Sequence, residues 1–308
     1  MKHLATLSLA AALTATTALT AFAAEPLVDA AWLKSNLDSV KVIDLRSKIS
    51  NSDEETFKAG HIPGAVYSNY GTDGWRVKGA DGTPGLLPSE AELEALFGRL
   101  GITPEDHVVL VTAGLSSTDL GSATRAFWTL KTAGHDEVSV LNGGYSGWVE
   151  AGGAVETGPT TPDRTTYDAT IDPRYLATKD DVIRAEKDGT ALVDNRVAPQ
   201  FTGEKKAGPV ARYGTIPGSQ SVPQDTLTIG GEGTFKSAEE LKALYAKAGA
   251  GEKDEINFCN TGHWASLGWF VSSQLLGNDK AKMYDGSMAE YAADRKLPLE
   301  TKVKPSDG

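Results

Sequence analysis

Short motifs in the first half of this chain recur in the second half in the same order, and that recurrence leaves few folds open. Thr215-Ile216-Pro217-Gly218-Ser219 echoes His61-Ile62-Pro63-Gly64-Ala65. The run Ser237-Ala238-Glu239-Glu240-Leu241-Lys242-Ala243-Leu244 echoes Ser89-Glu90-Ala91-Glu92-Leu93-Glu94-Ala95-Leu96. Glu255 to Phe258 echoes His107 to Leu110, and Tyr284-Asp285-Gly286 echoes Leu141-Asn142-Gly143. Ordered echoes of this kind identify a tandem duplication of one α/β domain, each copy a mostly parallel sheet flanked by helices. A chain of 308 residues has room for two such domains.

The local patterns place the elements. Val28 to Leu37 reads as a helix and Lys41 to Leu45 as a short apolar strand ending in Asp44-Leu45-Arg46. Residues 71–88, rich in Gly and Pro, predict a long surface loop. Ser89 to Glu92 forms a capping box that starts a helix running to about Leu100. His107 to Val111 is a buried-type strand, Leu115 to Gly121 a loop, Ala123 to Ala133 a helix and Val138 to Leu141 a strand. In the second copy Thr178 caps a helix, and Ala191 to Val193 is a strand leading into Asp194-Asn195-Arg196. Residues 156–173 carry several breakers and no period, so they predict a linker along the surface between a domain at 24–155 and another at 174–308. Residues 1–23 read as a signal peptide. Met1-Lys2-His3 is the basic start, Leu4 to Leu19 the apolar run, and Ala21-Phe22-Ala23 a small-x-small cleavage site. The threonines in that run argue against a permanent membrane anchor, and the expected destination is the periplasm.

Cys259 is the only cysteine, which excludes an intramolecular disulfide. It follows the strand-like run Glu255-Ile256-Asn257-Phe258 and precedes the helix-like run Ala265 to Leu276. A lone cysteine is by default an inert small hydrophobe. Here polar flanks and a strand-to-helix loop favour a reactive thiol instead. Inward-facing N–H groups form an anion nest, and the helix N-terminus adds its dipole. Both favour thiolate, or an anionic sulfur carried on it. Gly262 gives the loop the backbone freedom to curl. The net charge of −11 without a polybasic stretch argues against nucleic acid or an anionic membrane as partner, and requires any anionic substrate to be attracted locally. No His/Cys/Asp cluster has metal-ligand spacing, and Gly230-Gly231-Glu232-Gly233 reads as a flexible turn rather than a nucleotide loop.

With these residues in place, the mature chain resembles the two-domain rhodanese-type sulfurtransferases, which include thiosulfate and 3-mercaptopyruvate sulfurtransferases. Phe57-Lys58-Ala59-Gly60-His61-Ile62-Pro63-Gly64-Ala65 is similar to the family's N-terminal signature. Tyr284-Asp285-Gly286-Ser287-Met288-Ala289-Glu290-Tyr291 is similar to its C-terminal one, with Met288 where an aromatic is usual. Cys259 to Trp264 has the length of the family's active loop. The resemblance implies two rhodanese-like domains, of which the first lacks the catalytic cysteine. It implies a ping-pong transfer without metal or organic cofactor: Cys259 takes a sulfane sulfur from a small anionic donor and passes it to cyanide or a thiol. The backbone of Asn260, Thr261, Gly262, His263, Trp264 and Ala265 would hold the persulfide. The loop departs from both subfamilies. It lacks the cationic side chains of thiosulfate users, His263 apart, and is not the small-residue loop of mercaptopyruvate enzymes.

Other residues divide between chemistry and structure. The resemblance places Arg196 where an arginine binds the donor; the alternative is a structural ion pair. Asp194 reads as a brace, because Asp44 and Arg46 repeat the pair in the copy without a thiol. His263 either assists an anion or proton, or faces solvent. Trp264 reads as a pocket wall, His61 as a turn residue, and Lys205 and Lys206 as a solvated pair. A cysteine phosphatase would need an arginine at position 265, which is Ala265. A persulfide carrier serving a protein partner and a purely structural protein remain as alternatives.

Overall fold

The computed structural model describes residues 24–251 and 254–305; the signal-peptide reading of residues 1–23 lies outside them. Eleven strands and ten α-helices are found among these residues. The first copy contains β1 (Leu27–Val28), α1 (Ala30–Asn36), β2 (Lys41–Asp44), α2 (Glu54–Ala59), β3 (Val66–Tyr67), β4 (Val77–Lys78) and β5 (Pro84–Leu86). It continues with α3 (Glu90–Arg99), β6 (Val108–Val111), α4 (Ser117–Thr132), β7 (Val138–Leu141) and α5 (Gly144–Glu150). The second copy contains α6 (Lys179–Asp188), β8 (Ala191–Asp194), α7 (Ala198–Phe201), β9 (Gln220–Ser221) and α8 (Ala238–Ala248). It ends with β10 (Glu255–Phe258), α9 (Ala265–Trp269), β11 (Ala281–Met283) and α10 (Ser287–Tyr291).

Two parallel sheets result, in the orders β1-β7-β6-β2-β3 and β11-β10-β8-β9. The central strands are buried throughout, as sheets covered on both faces require, and Val-Val-Leu-Val in β6 shows the composition that goes with it. The duplication extends to register. Val111 faces Asp44 as Phe258 faces Asp194, so Cys259 occupies the place of Thr112. The echo motifs also do the same job twice: His61 bridges Glu156, and Thr215 bridges Glu300. Reciprocal capping boxes open α3, α6 and α8, as their Ser or Thr with Glu or Asp at the third helical position dictates.

The structure departs from the sequence expectations in four places. Leu27 and Val28 form a strand on β7, and Asp29 caps a shorter helix after them. Helix α4 starts at Ser117 rather than Ala123, because Ser116 accepts the Asp119 N–H and opens the helix inside a polar run that reads as loop. Residues 71–88 are not a free surface loop. Trp75 is fully buried and donates to Ser68 Oγ (2.9 Å), and β4 and β5 pair as a hairpin. The turn around Gly230–Gly233 docks on the first copy: Gly143 N donates to Gly233 O and Phe235 N to Asn142 Oδ1. The segment 156–173 carries no helix or strand and is strapped to the first copy by Thr165 N→Gly98 O and Asp172 N→Thr132 O.

The two copies share one core. Helix α4 of the first packs on α9 of the second and on the π-helical turn Phe270–Leu275 that continues it. Phe127 meets Phe270 edge-on with centroids 4.9 Å apart, and Phe235 stacks on Phe270 at 5.5 Å. A contiguous cluster of buried side chains therefore crosses the boundary. The halves are expected to unfold in a single transition. Phe270→Ala should cost about 3–5 kcal/mol and shift that transition without splitting it, as urea melts followed by fluorescence and circular dichroism would report. Two resolved transitions in the wild-type protein would contradict a shared core.

Candidate active site

Strand β10 ends at Phe258, and the chain turns at once through Cys259 to Trp264 into α9. The turn is held from beneath by Ser287. Its Oγ accepts from the backbone N–H of Cys259 and of Gly262 (3.1 Å each) and donates to Tyr284 O (2.8 Å). Met288 N and Ala289 N then donate to the carbonyls of Cys259 and Asn260. Ser287 adopts a left-handed backbone (φ 49°), which brings its hydroxyl and the two following N–H groups to the loop together. Gly262 is also left-handed (φ 73°), and a Cβ there would lie 2.4 Å from Arg125 Nη1 and 2.8 Å from Asp285 O. Only glycine fits.

Two loop N–H groups are thus used by Ser287. Those of Asn260, Thr261, His263, Trp264 and Ala265 form no hydrogen bond among the described residues. The matching loop of the first copy is closed by contrast. There the N–H groups of Gly114 and Leu115 donate to Asp119 Oδ2 (2.7 and 3.2 Å). Asp119 is buried, and desolvation raises its pKa against the pull of those bonds. One copy fills this turn with its own carboxyl oxygen, and the other leaves the donors available.

Cys259 is buried and lines a cavity of ≈ 240 Å³ together with Arg76, Thr118, Pro209, His263 and Trp264. Arg76 and Thr118 belong to the first copy, so the site lies between the copies. The loop is clamped there by His263. Its Nε2 lies 2.8 Å from the carbonyl of Thr118, which can only accept, so Nε2 carries the proton. Nδ1, 2.8 Å from Tyr70 Oη, must then accept from the phenol. The imidazole is neutral: desolvation first, then the charge of Arg76, pushes its pKa down to about 3. Trp264 Nε1 donates to Thr118 Oγ1 (3.1 Å) as a second clasp. His263 therefore neither faces solvent nor acts as a proton carrier near neutral pH; it fastens the loop to the other copy. Trp264 combines that fastening with a place in the cavity wall.

Of the two readings open for Arg196, donor binding and a structural ion pair, its geometry matches the ion pair. It is fully buried and absent from the cavity lining. Its Nε and Nη2 bond the Asp194 carboxylate (2.6–3.1 Å), and Nη2 also donates to Gly214 O. Thr215 Oγ1 completes the carboxylate's set at 2.7 Å. Arg46 repeats the arrangement with Asp44 and Gly60 O. The reason is geometric: an arginine two residues beyond the aspartate folds back onto it in both copies and clips the strand end to the glycine turn. Asp194 is the other half of that clip. Lys205 and Lys206 are exposed, and His61 is buried with Nδ1 on Phe57 O (2.9 Å).

Sequence reasoning missed Tyr70, Arg76, Thr118 and Arg125, all from the copy without a thiol. Arg125 had a legible signal, as a lone arginine in the apolar run of α4. It is fully buried, none of its three guanidinium nitrogens has a hydrogen-bond partner among the described residues, and the carboxylate of Asp285 is 3.7 Å away. Burial lowers its pKa, while charge on Asp285, Tyr70 and Cys259 opposes that. An arginine stays protonated nonetheless, and this cation sits against the back of the loop at Gly262.

Two expectations follow. The unfolded chain binds a proton on His263 near pH 6.5, whereas the folded protein refuses it until about pH 3. Stability is therefore complete above the unfolded value and lost as pH falls through the window between the two, by up to about 1.4 kcal/mol per pH unit. His263→Gln should flatten the stability profile between pH 6.5 and 5 in urea melts; an unchanged slope would contradict a buried neutral imidazole. Ser287→Ala leaves two buried N–H groups without an acceptor and should cost about 1–3 kcal/mol for each, read as a lower urea midpoint.

Residues 29–151 and 178–294 match the Rhodanese-like domain family. A putative thiosulfate sulfurtransferase of Haloferax volcanii is 32% identical over 288 residues, covering 91% of this chain and 97% of that protein. The sulfur carrier protein TtuD of Thermus thermophilus is 34% identical over 281 residues, covering 87% and 93%. The solved structure of SseA from Escherichia coli, described as a 3-mercaptopyruvate sulfotransferase, is 29% identical, covers 85% of this chain and 98% of its own, and superposes with a TM-score of 0.73. Two family matches in tandem, on two parallel sheets that share a four-strand order to which β1 adds an edge in the first, make this chain a two-domain member of the rhodanese-like family of sulfurtransferases.

Proposed function

We propose that Cys259 is the sulfur-accepting nucleophile of a thiosulfate-class sulfurtransferase. The observation that carries this reading is the set of backbone N–H groups at Asn260, Thr261, His263, Trp264 and Ala265 that the protein leaves unpartnered around a buried thiol. Donors left unpaired by the protein in a loop that lines a cavity are available to an incoming acceptor, and an anion is the strongest. A persulfide is an anion that the cysteine itself can supply. Arg125, charged and buried behind Gly262, adds a fixed positive field that favours both thiolate and persulfide.

The first half-reaction is a displacement at sulfur. The Cys259 thiolate attacks the outer sulfur of thiosulfate, the S–S bond of the donor breaks, and sulfite leaves with the bonding pair. The outer sulfur keeps its own negative charge as the persulfide terminus, and the charge the thiolate brought departs on sulfite. In the second half-reaction an acceptor, cyanide or a thiolate, attacks the outer persulfide sulfur and the Cys259 thiolate is released. Neither step moves a proton through His263, whose neutral ring is occupied on both nitrogens. The Haloferax relative supports thiosulfate as donor, and SseA keeps 3-mercaptopyruvate as the second candidate. The Thermus relative, named a sulfur carrier, supports a variant of the same chemistry in which the acceptor is a protein.

Intact mass of the protein before thiosulfate, after it and after cyanide tests the reading, with thiocyanate assayed in parallel. The expected result is a gain of one sulfur that disappears on cyanide treatment, and no gain in Cys259→Ser. If thiosulfate leaves the mass unchanged and 3-mercaptopyruvate loads it, the donor assignment changes while the nucleophile stands. Failure of both to load Cys259 would overturn the enzyme reading.

A further inference from the structure

We propose that Arg76, contributed by the copy without a thiol, is the residue that binds the oxyanion end of the sulfur donor. This rests on the sulfurtransferase reading above and deepens it by naming how the donor is recognised. The active loop offers no cation of its own, since His263 is neutral, and the arginine expected from the sequence, Arg196, is locked to Asp194 and Gly214. With a net charge of −11 the protein's overall field repels anions. Arg76 is the cationic side chain in the wall of the Cys259 cavity. It forms no ion pair or hydrogen bond among the described residues, and its guanidinium carbon lies over the ring of Tyr70, 5.1 Å from the centroid. A stack of that kind aims a guanidinium while leaving its N–H fork free for a sulfonate or carboxylate.

The backbone around Arg76 is built to hold it at the loop. The preceding Trp75 is fully buried and bonded to Ser68. The hairpin of β4 and β5 begins at the next residue and presses on the active loop: a Cβ on Gly85 would lie 2.6 Å from Thr261 O. At its far end Leu87 N donates to Asp285 Oδ2 (2.6 Å). Tyr70, beneath the guanidinium, is the residue that donates to His263. Arg76 also lines the adjoining ≈ 350 Å³ depression with Pro209 and Thr261, so it stands where the cavity opens outward. A donor with its outer sulfur at Cys259 and its oxyanion on Arg76 is oriented for attack, and the cation meets the charge that leaves as sulfite or, with 3-mercaptopyruvate, the carboxylate that stays on the departing pyruvate.

The test compares donors. In Arg76→Gln, the ratio of kcat/KM for an anionic donor (thiosulfate, then 3-mercaptopyruvate) to that for a neutral dialkyl trisulfide should fall about 10- to 100-fold, the worth of a charge-assisted hydrogen bond. Arg76→Lys should recover part of it, and Lys205→Gln, on the exposed surface, should leave the ratio as it is. Independently of turnover, calorimetric titration of Cys259→Ser with sulfite and thiosulfate should show binding that weakens by about the same factor when Arg76→Gln is added. An unchanged donor ratio or an unchanged anion affinity would overturn the assignment. If no donor loads the wild type but the Arg76-dependent anion binding is present, the sulfurtransferase reading fails and the anion site stands. If Arg76→Gln melts below the wild type, the folded Arg76→Lys variant decides.

Discussion

The active loop of the second copy is completed by the first through one buried hydrogen-bonded chain, Tyr70 to His263 to Thr118. Every other feature of the site depends on it. A six-residue turn carrying several unpartnered N–H groups would relax in solvent. Here it is tied at its middle by an imidazole with both nitrogens occupied, at its start by Ser287, and at its end by Trp264 on Thr118. The desolvation that keeps His263 neutral also removes water from around the thiol, so positioning and electrostatics share one cause.

The duplication makes the two copies each other's lids. The hairpin at 77–86 rests on the Cys259 loop, while the Gly230–Gly233 turn rests on the corresponding loop at Gly114. The close approaches are backbone on backbone, which explains glycine at 85 and at 233: a Cβ at either would meet a main-chain atom at 2.6 Å or less. What differs is the occupant of the turn. Asp119 supplies its own carboxyl oxygen to the first loop, and the second leaves most of its N–H groups without a hydrogen-bond partner among the described residues. The inert copy is a filled version of the same cradle, and it has been turned to another use: it furnishes the clasp, the buried charge of Arg125 and the exposed face of the cavity.

The ion pairs Asp44–Arg46 and Asp194–Arg196 show why a motif can mislead when read for chemistry. An arginine two residues past a strand end looks like a ligand for substrate because α/β sites gather at that edge. The repeat of the same pair in the thiol-free copy points the other way, and the structure agrees with the repeat. A charge pair this deeply buried needs further hydrogen bonds around it. Gly60 O and Gly214 O each supply one, which ties the glycine turns of the two HIPG-like and TIPG-like motifs to the sheet.

Much of this was determined by the sequence alone. Ordered echoes specify a tandem α/β chain, buried β-branched runs specify parallel strands, and reciprocal Ser/Glu pairs specify where helices begin. The sole cysteine after a strand specifies where the proposed nucleophile sits, because those signals are local and a period or a cap is complete within a few residues. What only the tertiary structure decided is everything that crosses from one copy to the other. Tyr70, Arg76, Thr118 and Arg125 lie 134 to 189 positions before Cys259, and no periodicity links them to it. His263 is a clasp, not a proton carrier, because docking takes it out of water, and Arg196 is a brace because its neighbour folds back on it. Those roles are set by burial and distance, which a chain acquires only when its two halves close on one another.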